Sequence, residues 1–328
     1  MSKVSQKKQP SNIMSSTLDG NSSYFTFLLT GFPGLEWAHH WISIPVFSVY
    51  LTAILGNATI LHIVRTDPSL HQPMYYFLAM LASTDLGLCV STIPTVLGVL
   101  WFDFRGIHLY PCVLQVYVFH AFSFMESAML FAMAYDRFVA ITNPLRYPTI
   151  LTSSRVVMII LTLGLRSIIF TIPPIIRLLW LTYCRNNVLS HSYCLHQDMI
   201  RLSCSNTRFN SLYALIVILL SMGSDFLFIL LSYIMIFHSV LTIASRREQL
   251  KVLNTCVSHI LAVLCFYVPV LGLSIVHRFA RHSSPIIHIV MGNVYILFPP
   301  LMNPLIYSIK TQQIRRAIIR IISLKGCR

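Results

Sequence analysis

Seven apolar segments, each long enough to cross a bilayer, constrain this chain more than any other feature. They run over about 42–64, 74–101, 111–141, 156–180, 209–241, 252–278 and 285–309. A helix needs roughly 20 apolar residues to span the hydrocarbon, and lipid offers the backbone no hydrogen-bond partners, so each segment is expected as a helix. Charge supports this reading. Only 10% of the 328 residues are charged and 55% are hydrophobic, against about 25% charged in a soluble domain. A net charge of +14 would suit a nucleic-acid binder if the bases formed one patch. They are scattered between the apolar segments instead. The expected partner is therefore a lipid bilayer, not nucleic acid.

Residues 1–41 read as a mobile N-terminal tail, 42–309 as the spanning domain, and 310–328 as an amphipathic helix with a short tail. Residues 1–23 hold no apolar core of the length a cleaved leader needs, so the first spanning helix is expected to direct insertion. An odd number of spans puts the two ends in opposite compartments. Lys3, Lys7 and Lys8 lie too far from the first helix to orient it, whereas Arg65 sits at its other end, so the N-terminus is expected outside. Asn21-Ser22-Ser23 is then a glycosylation acceptor. From Gln312 to Ile322, four isoleucines fall on one face beside Arg315, Arg316 and Arg320, a pattern suited to a helix lying on anionic lipid. The expected fold class is thus an all-α membrane protein, a seven-transmembrane-helix bundle with a short amphipathic eighth helix.

Polar residues inside apolar segments are costly and mark function by default. The second segment carries Asp85 and the third Glu126, roughly 16 Å along the helix from Arg137 and near mid-depth. Two carboxylates meeting there cannot both stay ionised without a cation. A bound sodium ion and a shared proton are both open. The fourth segment holds Arg166 and the fifth Asp225, which could bridge or line a cavity. The third ends on adjacent Asp136 and Arg137, and Pro144 then forces Asn143 out of the helical region. Cys112, Cys184, Cys194 and Cys204 lie on the outer side, where pairing is the default, with three connectivities open. His191, Cys194 and His196 match no closed zinc spacing. Cys89, Cys256 and Cys265 fall within helices and are expected as packing residues.

The string Met133-Ala134-Tyr135-Asp136-Arg137-Phe138-Val139-Ala140-Ile141, followed by Pro144-Leu145-Arg146-Tyr147, resembles the inner end of the third helix in odorant receptors, a branch of the rhodopsin-like G-protein-coupled receptors. Pro73-Met74-Tyr75-Tyr76-Phe77-Leu78, Leu253-Asn254-Thr255-Cys256-Val257-Ser258-His259 and Asn303-Pro304-Leu305-Ile306-Tyr307 fall on the matching helices in the same order. Leu29-Thr30-Gly31-Phe32-Pro33-Gly34-Leu35-Glu36 resembles the segment before the first helix in class I members, and Ser274-Ile275-Val276-His277-Arg278 resembles their family 51. Most rhodopsin-like receptors carry a tryptophan just before the proline of the sixth helix, and Phe266-Tyr267-Val268-Pro269 holds none, so a tryptophan toggle does not carry over.

The resemblance implies a Cys112–Cys194 disulfide, which leaves Cys184 with Cys204. It also implies an allosteric sodium site at Asp85, with Glu126, Ser123, Asn57 and Asn303 nearby, and a coupling end built on Asp136, Arg137, Asn303 and Tyr307. Tyr267, Leu271, Ser274 and Arg278 recur at helical spacing on the sixth segment. His120 lies roughly 26 Å outward of Arg137, with Ser123 one turn below it. With Gln197 in the polar loop, His120, Ser123, Tyr267, Ser274 and Arg278 are the expected ligand residues, and the guanidinium suits a carboxylate. The implied function is an odorant receptor of the plasma membrane, acting on a heterotrimeric G protein of the stimulatory, olfactory type and needing no cofactor beyond the sodium ion left open above. A transporter or channel is the alternative, but no repeat relates the two halves. No His-Glu-x-x-His or Gly-x-Ser-x-Gly motif points to an enzyme.

Overall fold

A computed structural model describes residues 25–184, 187–243, 245–279 and 285–326; the side chains of 251, 277–279, 285 and 321–326 lie outside that description, as does Asn21. The apolar segments wind into α1 (His39–Thr66), α2 (Pro73–Phe102), α3 (Leu109–Thr142), α4 (Ser153–Leu179), α5 (Arg208–Leu241), α6 (Arg246–Phe279) and α7 (Pro285–Lys310). A shorter α8 (Gln312–Gly326) follows. All seven are long and apolar enough to cross a membrane, and α3 is the most buried, packed against α2, α4, α5 and α6.

Local chemistry sets the ends and bends. Pro73 opens α2 at a position whose N–H would have no helical partner. The Thr152 side chain caps α4 by accepting from Arg155 N at 3.4 Å. Prolines inside helices free a carbonyl one turn earlier, and neighbouring side chains satisfy it. Pro304 frees the Pro300 carbonyl, which accepts from Asn57 Nδ2 at 2.9 Å. Pro174 frees that of Phe170, which accepts from Tyr213 at 3.3 Å. Gly56 lets α1 close on α7, since a Cβ there would stand 2.9 Å from Pro304. Residues Leu219–Gly223 form a π segment inside α5.

Part of the expected tail is instead built into a lid. Strand β1 (Thr26–Leu29) pairs antiparallel with β2 (Gly106–His108), Phe27 opposite Ile107, and parallel with β3 (Val188–Leu189). Phe27 and Leu29 are buried in a cluster with Leu109, Cys112, Leu178, Leu189 and Met199. Two disulfides hold this end: Cys112–Cys194, with Cα atoms 5.5 Å apart, and Cys184–Cys204, 5.9 Å apart. Of the remaining cysteines among the described residues, Cys89 and Cys256 are buried and Cys265 is partly so. At the opposite end α8 tucks Ile314 and Ala317 against the bundle. Tyr75 donates to Gln313 there, and Arg320 reaches Asp67 at 3.3 Å.

Candidate functional site

A cavity of about 730 Å³ lies under the lid. The lid folds down because its polar residues find partners on the helices below. Tyr193 donates to the Gly292 carbonyl at 2.9 Å, and Cys194 N donates to Gln115 Oε1 at 2.8 Å. Gln115 in turn donates to the Ser91 carbonyl at 2.6 Å. Asp198 accepts from Ser190 N at 3.1 Å and pairs with His191 Nδ1 at 2.6 Å. The other His191 nitrogen reaches the His288 carbonyl on α7 at 3.2 Å. Gly292 is required for that approach, because a Cβ would stand 2.6 Å from the His191 ring.

Of the expected ligand residues, His120, Gln197 and Ser274 line the cavity together, joined by His196, His288 and Tyr295. Ser123 and Tyr267 are not in its wall. Ser123 accepts from Tyr295 at 3.0 Å just behind it. The Arg278 side chain lies outside the described residues, although its backbone continues α6 one turn beyond Ser274. His191, Cys194 and His196 hold separate partners, and among the described residues no metal-binding cluster of histidine, cysteine or carboxylate forms.

His196 accepts from Asn210 Nδ2 at 3.2 Å, and burial pushes its pKa down from 6.5 to about 4. The folded lid therefore prefers the neutral ring, and the unfolded chain takes up a proton first as pH falls. Stability present above pH 6.5 is lost progressively down to about pH 4. Thermal unfolding of the purified protein is expected to show this loss, and His196→Gln to flatten it. An unchanged pH profile in that variant would separate the loss from His196.

Below the cavity, Arg166 and Asp225 form a two-pronged ion pair at 2.9 and 2.6 Å. The pair bridges α4 and α5 and does not line the cavity. Ser127 donates to Asp225 at 2.9 Å and lies 2.8 Å from the Tyr267 hydroxyl. Tyr267 also donates to the Met222 carbonyl of the π segment at 3.2 Å. This places Tyr267 in a network joining four helices.

At mid-depth Asn303 donates to both Asp85 (3.0 Å) and Glu126 (3.2 Å). The carbonyl oxygens of Asn303 and Asn57 are buried without hydrogen-bond partners among the described residues. Two carboxylates bridged by Asn303, whose own oxygen is left free, are donors a hard cation takes, so Asp85, Glu126 and Asn303 fit sodium.

At the far end Asp136 accepts from Tyr147 at 2.7 Å, and the Arg137 guanidinium lies against the Met74 sulfur. Among the described residues no carboxylate pairs with Arg137, and Arg137 Nε is buried without a partner. Tyr307 is fully buried, its hydroxyl 4.0 Å from the Met133 sulfur. Tyr233 on α5 lies 2.7 Å from His259 on α6, tying their inner ends beside a cluster that holds Phe138, Ile236 and Cys256.

A family model described as "Olfactory receptor" matches residues 46–325. The chain belongs to the olfactory receptor family. It is 53% identical to human olfactory receptor 51V1, over 96% of this chain and 98% of that one. Human olfactory receptor 51L1 is 54% identical over 89% of this chain and 93% of its own length. Squid rhodopsin shares the fold, with a TM-score of 0.73 at 17% identity, covering 90% of this chain and 87% of that chain. This olfactory receptor is therefore an odorant-sensing G-protein-coupled receptor and a multi-pass membrane protein, not an enzyme. It takes a small-molecule ligand and couples to a G protein. Sequence reading did not single out Gln115, Ser127, Asn210 or Tyr295. Gln115 and Asn210 carried a usable signal, being amides inside apolar helices, which need partners. Ser127 and Tyr295 carried none.

Proposed function

We propose that this olfactory receptor binds small polar odorants, short carboxylic acids among them, in the cavity under the lid. The observation that carries the proposal is the meeting of His120, Gln197 and Ser274 in one cavity wall, with Arg278 next along α6 in sequence. Ser123 supports the wall through Tyr295. Bound ligand favours the active arrangement and shifts a pre-existing equilibrium. The inner end of α6 then swings away from α5, and a helix of the G protein docks at Arg137, with Asp136, Asn303 and Tyr307 rearranging around it. The G protein is the stimulatory, olfactory type, the receptor works in the plasma membrane, and its N-terminus, with a glycan at Asn21, is extracellular. Asp85 and Glu126 would hold a sodium ion between them, and its charge would favour the resting arrangement.

One assay tests this reading: cAMP and ligand flux measured together in expressing cells, across aliphatic acids, alcohols and aldehydes. Acids are expected to raise cAMP without flux. Flux without cAMP would restore the transporter reading, and a response confined to apolar aldehydes would remove the acid. Added sodium is expected to lower acid potency several-fold in the native receptor and to leave Asp85→Asn unmoved. Equal sensitivity in both would leave the two acids sharing a proton.

A further inference from the structure

A second concavity, of about 430 Å³, opens between the lid-side ends of α4 and α5. Arg177, Asn206, Arg208, Phe209 and Leu212 line it. Arg177 stands in the last turn of α4, and Arg208 is the first residue of α5. Among the described residues neither guanidinium has a carboxylate within ion-pair distance, whereas Arg105, Arg166 and Arg320 each do. Phe209 and Leu212 are half exposed beside them, and Trp180, just past the end of α4, is largely exposed. Depth can be judged from Arg166, whose partner Asp225 also binds Ser127, next to the mid-depth Glu126. Arg177 lies eleven residues further along α4, roughly 16 Å, which is about half the hydrocarbon thickness.

Two cations without counter-charge, beside an apolar wall at the level where hydrocarbon gives way to headgroups, match an anionic head on an acyl tail. We infer that this groove binds an anionic phospholipid, its phosphodiester gripped by Arg177 and Arg208 and the start of its chain covered by Phe209 and Leu212. A guanidinium fork matches phosphate oxygens and forms charge-assisted hydrogen bonds with them. A zwitterionic lipid would carry its own ammonium into a groove that already holds two positive charges, so an anionic headgroup is preferred. The same seam of the bundle is held by Asn210, which donates to the Pro174 carbonyl at 3.0 Å and to His196 in the cavity wall. Lipid in the groove therefore fastens α4 to α5 next to the ligand cavity.

The test places a photoreactive benzophenone amino acid at position 212 of the full-length receptor. The receptor is reconstituted in phosphatidylcholine vesicles doped with phosphatidylglycerol of the same chains, and the crosslinked lipid is identified by mass. Phosphatidylglycerol is expected to be enriched over its bulk share. Arg177→Gln with Arg208→Gln should lower that enrichment about tenfold. Lys7→Gln with Lys8→Gln, which removes the same charge from the tail, should leave it unchanged. Should the double glutamine variant fail to fold, Arg208→Gln alone and Arg177→Lys with Arg208→Lys decide, with partial and small losses expected. Crosslinking in the bulk ratio would overturn the inference. Complete displacement by millimolar inorganic phosphate would also overturn it, assigning the groove to a free anion. Cavity ligand responses are read separately by cAMP, so loss of the lipid leaves the odorant reading independently testable.

Discussion

Replacing Arg278 with alanine is expected to reduce the potency of short carboxylates on the order of a hundredfold, at unchanged surface expression. Arg278 follows Ser274 by one helical turn on α6, and Ser274 lies in the cavity wall beside His120 and Gln197. A guanidinium's planar fork matches both oxygens of a carboxylate, which is why the proposed reading gives the acid group to Arg278. Truncating one partner of a buried charge pair costs about 2–5 kcal/mol, largely because the other charge is left desolvated and alone. Taking about 3 kcal/mol gives the hundredfold figure. Alcohols and aldehydes of the same chain length lose one neutral contact at most, so their potencies should move only a few-fold. Arg278→Lys keeps the charge without the fork and should fall between. Dose–response curves for matched acid, alcohol and aldehyde series check this, with surface receptor counted by antibody in the same cells. Equal potency of acids on the native and alanine receptors would take Arg278 out of the pocket.

The second large effect concerns folding, not recognition. Asp225→Ala should remove most receptor from the cell surface, because it strands Arg166 without its counter-charge between α4 and α5. Asp225 is only 2% exposed at its side chain and Arg166 23%. Breaking a buried pair from one side costs about 3–5 kcal/mol, whereas replacing both members with apolar residues is often neutral. Arg166→Met combined with Asp225→Leu should therefore recover most of the surface expression that the single change loses. Tyr267→Phe removes only the hydroxyl that touches Ser127 and the Met222 carbonyl, a loss of about 1 kcal/mol. Surface counts and thermal unfolding of the purified variants check the order. A single Asp225→Ala receptor as abundant as the native one would mean that the pair bears little of the bundle's stability.

The spanning helices were legible because hydrophobic length is a local signal: six observed spans contain the apolar segment expected for them, and α4 stops at Leu179, one residue short of its expected end. Their ends were less so. α1 starts at His39, three residues before the apolar run, because that ring is buried and accepts from Phe32 N at 3.1 Å. The lid sheet was not legible. β1 is four residues long, and its partners are two or three residues long and lie about 80 and 160 positions away. Such pairing is set by tertiary packing and not by propensity. Regular spacing on α6 grouped Tyr267, Leu271, Ser274 and Arg278, but Pro269 lies inside that helix between the first two. Leu271 is 56% exposed, Ser274 lines the cavity, and Tyr267 points into the network below it. Helical spacing alone cannot say which of these side chains faces lipid, cavity or neighbouring helix. The Arg166–Asp225 pair was undecidable from sequence, since either residue alone would suit a bridge or a wall.

On the proposed mechanism, a ligand in the lid-side cavity controls the gap between α6 and the rest of the bundle at the Arg137 end. The direct measurement is the distance between spin labels at Glu248→Cys, in the first turn of α6, and Thr149→Cys, in the short helix after α3, with and without a saturating acid odorant. A population several ångströms longer is expected when the acid is present in the native receptor, and no such population in the Arg278→Ala receptor. A distance distribution that the acid leaves unchanged, in a receptor that still raises cAMP, would contradict the mechanism.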